Sequence, residues 1–539
     1  MIPAAAAGLL GWRGPDVDDR HASPDPRSKG AASAGAALAF TRRQFLRRSA
    51  AASAGLLLPN ALQLLAARMA AAASAGASAG AGASTAAAIA KGYGPLVPDP
   101  AGLLDLPAGF QYRPFSTALL GSENDARFTQ RLTNGELVPA RHDGMAAFAG
   151  LAGITVLVRN HELDPGQRPV VDPRRTRCYD RLGTGGTTTL WVDADRNLVR
   201  AFPSLSGTFR NCAGGPTPWG SWLSAEECTW MPGERDARIH DRRPDVAERH
   251  GYVFEVDARA EGLVEPLPIK AMGRFYHEAA AVDSATGFAY LTEDLPDGLL
   301  YRYRPDVVVK GHKRVSDMQV GDLAKGGTLE ALRILERPAA RTQNQEARDF
   351  PPGRSWLVDW VAIPDPDPDM DSGRDPDDPE PEPLQRRRRA APTSTRAQGF
   401  RLGAAQFTRA EGIIFHRGAL YFTATDGGRA RAGQVWRLEP GTNRLTLLHE
   451  PDDRALLDGP DNLTAAPNGD LIVCEDGRNE NFVVGITPQG RLYRFARNPY
   501  NQSEFAGACF SPDGRTLFVN LQDPGITFAV WGPWGKRKA

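Results

Sequence analysis

Cys212 stands in the run Asn211-Cys212-Ala213-Gly214-Gly215-Pro216-Thr217-Pro218-Trp219-Gly220, followed by the acid pair Glu226-Glu227. A thiolate beside carboxylates is a donor set suited to a transition metal. The two glycines behind it allow close approach of backbone to a ligand. The plainer alternative is a buried structural cysteine. His277-Glu278 offers one further metal ligand or acid–base group, because neighbours in a strand face opposite ways. Arg409 and Glu411 are two apart, hence on one face of an extended strand. A carboxylate to hold metal beside a guanidinium to hold an anion is what phosphate chemistry needs; an ordinary salt bridge fits the spacing equally well. Asp458-Gly459-Pro460-Asp461-Asn462 is an acidic turn, either Asx-type or an oxygen-rich calcium site.

These residues must be positioned by strands. One phrase recurs six times: an apolar strand, a turn, a second apolar strand, then an acid or acids. The copies are 153–162, 217–227, 280–294, 412–426, 463–476 and 508–523. Asn468-Gly469 and Asp513-Gly514 between apolar runs are strong hairpin signals. Several copies are followed by a third strand, such as Gln434-Val435-Trp436-Arg437-Leu438. One such unit cannot cover its own apolar faces, but six stacked radially can. The pattern predicts an all-β, six-bladed β-propeller with long loop insertions. The acids ending the copies, among them Glu162 and Glu475, would gather at one mouth of the central channel, where cations offset their repulsion.

Between the third and fourth copies the spacing doubles. The gap holds Pro364-Asp365-Pro366-Asp367-Pro368-Asp369, further Pro-Glu repeats, and the run Arg386 to Arg389. Such a segment cannot bury a core, so residues near 364–398 are expected to form a disordered, charged surface insertion.

The remaining chain is bounded by composition. Lys+Arg and Asp+Glu number 64 each, which argues against a nucleic-acid partner needing a clustered positive face. Gly 56 and Pro 43 favour short strands and turns over long helices. At about 150 residues per domain, the 539-residue length alone would suggest several domains, but the repeat makes 91–539 one propeller. Five cysteines are too few for a disulfide scaffold, and the odd count leaves one unpaired. The paired arginines in Thr41-Arg42-Arg43-Gln44-Phe45-Leu46 precede a weakly apolar Ala/Leu stretch and an Ala/Ser/Gly tract. Residues 1–90 therefore read as a twin-arginine export signal with its processing region. No run of eighteen strongly apolar residues exists to span a membrane. Walker, G-x-G-x-x-G, H-E-x-x-H, C-x-x-C and G-x-S-x-G motifs are missing.

Taken together, the twin-arginine signal, Asn160-His161-Glu162, the block from Asn211 to Glu227, Gly273 to Glu278, Arg409 to Gly412 and Asp458 to Leu463 resemble the PhoX family of bacterial alkaline phosphatases. Ala225 stands where relatives often carry Cys. The resemblance implies a six-bladed propeller, exported through the twin-arginine machinery to the periplasm or beyond. It implies a hydrolase of small phosphomonoesters that uses calcium and iron (Fe3+); the chain is expected to be a monomer. It further implies Cys212 as an iron ligand, Glu227, Glu278 and Glu411 as carboxylate ligands, and Arg409 on the substrate phosphate. Asp461, Glu475 and Glu162 would serve calcium. Two other readings compete: a calcium-dependent lactonase-type propeller hydrolase, which needs neither Cys212 nor iron, and a non-enzymatic metal-binding propeller.

Overall fold

A computed structural model of the protein describes residues 91–118, 130–172, 177–232, 246–368 and 394–535. The expected export signal (1–90) and the centre of the charged insertion (369–393) lie outside the described residues. No described helix is long and apolar enough to cross a membrane.

The strands follow from residue type. Thr516–Leu521, Leu471–Glu475 and Phe482–Ile486 are rich in β-branched and aromatic side chains and are buried along their whole length, as strands covered on both faces must be. Outer strands such as Ser355–Ala362 alternate between covered and exposed positions over their first half. The expected hairpins form. Between Ala410–His416 and Ala419–Ala424, the turn residues Arg417 and Gly418 both have positive φ, 50° and 80°, the conformation that matches strand twist in a two-residue loop.

Six inner strands surround the axis: His142–Ala149, Asn211–Pro216, His277–Val282, Ala410–His416, Pro460–Ala465 and Phe505–Phe510. Each packs against the next, and the last returns to the first. The arrangement is all-β and propeller-like. The expected six separate sheets do not appear, however. Hydrogen bonding gives four blade-like sheets, one of three strands and three of four, a two-stranded ribbon, and one nine-stranded sheet running from His277–Val282 to Ala410–His416. The physical cause lies in the long gap between the third and fourth copies. It supplies an extra strand, Ser355–Ala362, which pairs with Gly327–Ile334 on one side and Arg444–His449 on the other. Two outer edges that would otherwise be left unpaired are joined by it.

The ring is closed by the two ends of the described chain. Gln111–Thr117 pairs with Ile526–Trp531 in one sheet. Beside that seam Phe110 packs edge-on to Phe495 and Trp534, with ring centroids 5.0 and 4.9 Å away. The Tyr93 hydroxyl donates to the Trp534 carbonyl at 2.7 Å. The flanks of the charged insertion are also built in. Ser394 caps the helix Thr395–Arg401, and Arg396 pairs with buried Glu293 at 3.1 Å.

Candidate metal centre

Each inner strand carries a bulge near its start, where two of its residues oppose one on the neighbouring strand. The shifts fall between His142/Met145, Asn211/Gly214, His277/Ala280, Ala410/Ile413, Pro460/Leu463 and Ala506/Cys509. The first bulged residues are Asp143, Cys212, Glu278, Glu411, Asp461 and Gly507. A bulge breaks the strict alternation of a strand and re-aims a side chain. Five of the six re-aimed positions thus carry a potential ligand. At the sixth, Gly507, a Cβ would lie 2.3 Å from the Asp143 carbonyl oxygen and φ is +61°, so only glycine fits.

These ligands meet. One oxygen or sulfur each from Cys212, Glu227 and Glu278 lie within 4.8 Å of one another, and the same holds for Glu278, Glu411 and Asp461. Glu278 belongs to both groups. The Cys212 thiol donates to Glu278 Oε1 at 3.3 Å. His277 faces away, as strand alternation predicts: its Nε2 lies 3.0 Å from the Gly273 carbonyl oxygen.

A second tier comes from the residue immediately beyond each second strand: Glu162, Glu227, Asp294, Thr425, Asp476 and Gln522. The last residue of the strand points the other way and does structural work. Glu226 accepts from the Phe209 and Gly251 amides, Glu293 from the Leu299 amide, and Glu475 from those of Asp458 and Phe482. The calcium expectation for Glu475 is therefore not matched by its position. Asp476 occupies the ring, sharing a hydrogen bond with Glu504. Glu162 is in the ring, where it bonds Gln522 at 3.1 Å and pairs with Arg141 and Arg210.

Arginines line the open side. Arg141, Arg210 and Arg409 each stand two residues before a bulged ligand, and all have positive φ: 52°, 43° and 48°. Arg210 reaches Glu162 at 2.9 Å, Glu227 at 2.7 Å and Asp164 at 3.0 Å. Arg409 reaches Asp294 at 3.0 Å and Glu411 at 2.7 Å. The salt bridge that the spacing of Arg409 and Glu411 allows is present, and it lies at the acid cluster. These arginine side chains are 27–31% exposed, while Glu162, Asp294 and Glu411 are 4%, 8% and 5% exposed. An incoming anion meets guanidinium before carboxylate.

The electrostatics call for a cation. Burial and then the charge of Glu162 push Asp143 up to about 7. Burial takes Glu227 and Glu411 up to about 8 despite the pull of Arg210 and Arg409. Burial and the charge on Glu411 hold Glu278 and Asp461 well above the carboxylate range. Burial, then Asp143 and Glu278, raise the Cys212 thiol. Asp143 Oδ1 and Glu411 Oε1 are buried without a hydrogen-bond partner among the described residues; the 2.7 Å contact of the latter with Arg409 lacks hydrogen-bond alignment. Crowded acids with orphaned oxygens fit bound cations. Beside them runs a channel of about 330 Å³, lined by small residues such as Gly144, Ala213, Ala279 and Gly412 together with larger ones such as Trp222, Phe415 and His416.

The family profile described as Alkaline phosphatase PhoX matches residues 91–201 and 194–525. The chain belongs to the PhoX family of alkaline phosphatases. Among solved structures, this PhoX chain is similar to Pseudomonas fluorescens PhoX in complex with vanadate, a transition state analogue. The TM-score is 0.58 and the identity 18%, over 80% of this chain and 97% of that one. That likeness concerns the fold. A Xanthomonas campestris gluconolactonase aligns at TM-score 0.35 and 13% identity, over 82% of this chain and 98% of that one, too loosely to bear on chemistry. A comparison with curated proteins finds no match.

Asp143, Glu504, Arg141 and Arg210 were missed by sequence reasoning, whereas Asp294 and Asp476 are acids that end copies of the repeat. A signal existed for several of them. Arg141-His142-Asp143 and Arg210-Asn211-Cys212 share the spacing of Arg409-Ala410-Glu411. Arg210 holds two ring acids at once, and residues that orient ligands typically contribute about 10–100-fold in metal affinity. Arg210→Ala is expected to weaken metal binding by a factor in that range, read by chelator competition; unchanged affinity would make Arg210 a surface clamp only.

Proposed function

We propose that the chain hydrolyses phosphate monoesters at a centre holding iron and calcium. The observation that carries this reading is the sharing of Glu278 between two three-residue ligand groups. Cys212, Glu227 and Glu278 include a sulfur and suit iron; Glu278, Glu411 and Asp461 are all-oxygen and suit calcium. Asp143, at the equivalent bulge, adds a further carboxylate. Bound there, cations would neutralise the charge that develops on the phosphoryl oxygens.

The chain's own residues do the rest. Arg409, held by Asp294 and Glu411, presents its guanidinium on the exposed side and binds two phosphoryl oxygens in fork geometry. Arg210 and Arg141 line the same approach. Arg409→Ala is expected to lower kcat/KM by about 100- to 1,000-fold, the usual cost of removing one donor from a preorganised site. A loss under about threefold would remove Arg409 from the substrate's path.

Reading the nine-stranded sheet as two blades bridged by Ser355–Ala362 gives six blades, in step with the six inner strands. The Arg42-Arg43 segment supports export by the twin-arginine route to the periplasm or medium, with the propeller acting as a monomer. The test is elemental analysis together with p-nitrophenyl phosphate turnover before and after chelation. Iron with calcium, and activity lost on chelation, are expected. Calcium alone with lactone hydrolysis and no phosphatase activity would transfer the chain to the lactonase class; stoichiometric metal with neither activity would make it a binding propeller.

A further inference from the structure

A second cleft, about 520 Å³, lies between the sheet containing Ala410–His416 and the sheet containing Pro460–Ala465. It opens where Ala410–His416 ends. Its His416 is five residues from Glu411, roughly 16 Å along an extended strand, so the cleft stands well away from the acid cluster, with His416 between it and the channel. Its volume falls in the range of small-molecule sites, roughly 300–1,000 Å³.

The lining is chemically biased. Arg417, Arg437, His416 and His449 supply nitrogen, and Leu471 and Ile486 supply apolar wall. His416 Nε2, His449 Nε2 and Arg437 Nε are buried with no hydrogen-bond partner among the described residues. Unpaired buried polar atoms are costly, and here three of them belong to residues lining one space. Arg437 keeps a 2.9 Å bond from its other arm to Glu439. Arg417 has no ion pair among the described residues. It lies across Gly469, where a Cβ would sit 3.0 Å from its guanidinium nitrogen, so the glycine makes room for it. Burial, reinforced by Arg417, lowers the His416 pKa, and burial lowers that of His449 against Asp452. Both imidazoles are therefore neutral hydrogen-bonding groups at pH 7, and the positive charge comes from the arginines.

We propose that this cleft is a second ligand site, for a small organic oxyanion. Its phosphate or carboxylate head rests on Arg417 and Arg437, beside His416 and His449. Its body lies against Leu471 and Ile486. Guanidinium forks match both heads, and the apolar wall favours an organic anion over a bare inorganic one.

The test uses phenylphosphonate, which carries no hydrolysable ester, and benzoate as the carboxylate counterpart. Each is titrated calorimetrically into the full protein and into protein whose metal centre has been emptied by chelation. At least one probe is expected to bind the emptied protein at one site and to move the ring signals of His416 and His449 in nitrogen-15 NMR spectra. The tighter probe identifies the head group. Arg417→Ala, on an exposed turn, is expected to weaken that binding at least tenfold while phosphatase turnover and melting temperature stay unchanged; Arg417→Lys should recover part of the loss. Absence of binding by both probes to the emptied protein would overturn the proposal. So would binding that is insensitive to Arg417→Ala or that leaves both imidazoles unmoved.

Discussion

Glu278→Gln is expected to abolish p-nitrophenyl phosphate hydrolysis, by about 1,000-fold or more if losing a shared ligand costs at least as much as losing one preorganised donor. The substitution keeps volume and removes charge, so the fold should survive, with an unchanged circular dichroism spectrum. The size of the effect follows from position. Among the described residues, Glu278 alone belongs to both groups, Cys212 with Glu227 and Glu411 with Asp461. Its loss leaves two ligands in each. Elemental analysis should therefore show both metals depleted. Asp461→Asn belongs to the all-oxygen group alone, and should deplete calcium while leaving iron in place. Wild-type turnover and metal content in Glu278→Gln would sink the shared-ligand reading. Equal depletion of both metals in the two variants would instead mean that the groups form one cooperative unit.

That contrast depends on details legible in the sequence only in part. Cys212, Glu278, Glu411 and Asp461 could be picked out from the paired glycines after Cys212, the His277-Glu278 pair, the Arg409/Glu411 spacing and the acidic turn 458–462, together with the resemblance to the PhoX family. Alternation allowed only one of His277 and Glu278 to face the axis, without saying which. Alternation also explains what was missed. It fixes which neighbour faces the axis only if the phase is known, and the bulges shift that phase. Glu475 and Asp476 are adjacent acids, and nothing local says that Glu475 turns back to accept the Asp458 and Phe482 amides. Asp143 was lost for another reason. The repeated phrase was followed from 153 onward in its first copy, so the inner strand His142–Ala149 and its bulge fell upstream of it. The separate-sheet count failed because Ser355–Ala362 obeys ordinary strand rules; its two pairing partners are distant in sequence, and only the closed ring brings their edges together.

The same crowding makes a strong prediction about stability. In metal-free protein, Glu227 and Glu411 bind protons up to about 8 when folded, against 4.5 for an ordinary glutamate. Burial, then Glu411 and other acids, raises Glu278 and Asp461 in the same direction. A raised folded pKa means the folded state holds its proton longer than the unfolded one. Its contribution is complete below 4.5 and is lost as pH rises through the folded value. His250 acts with the same sign. Burial opposes its protonation, but Glu226 and Asp180 lift it to about 9, so its support also fades on the alkaline side. Each unit of separation is worth about 1.4 kcal/mol, so the summed loss between pH 5 and 8 amounts to several kcal/mol. In a domain of this size that is on the order of 5–10 °C in Tm. Chelated protein is thus expected to melt progressively earlier as pH rises over this range. Metal-loaded protein should show the opposite trend, because ligands release protons on binding and binding to the folded state alone stabilises it. Thermal melts at four pH values with and without chelator decide the matter. A chelated protein whose Tm is flat or rises from pH 5 to 8 would mean the acids are already neutralised by their arginines, and that the cluster has no need of cations.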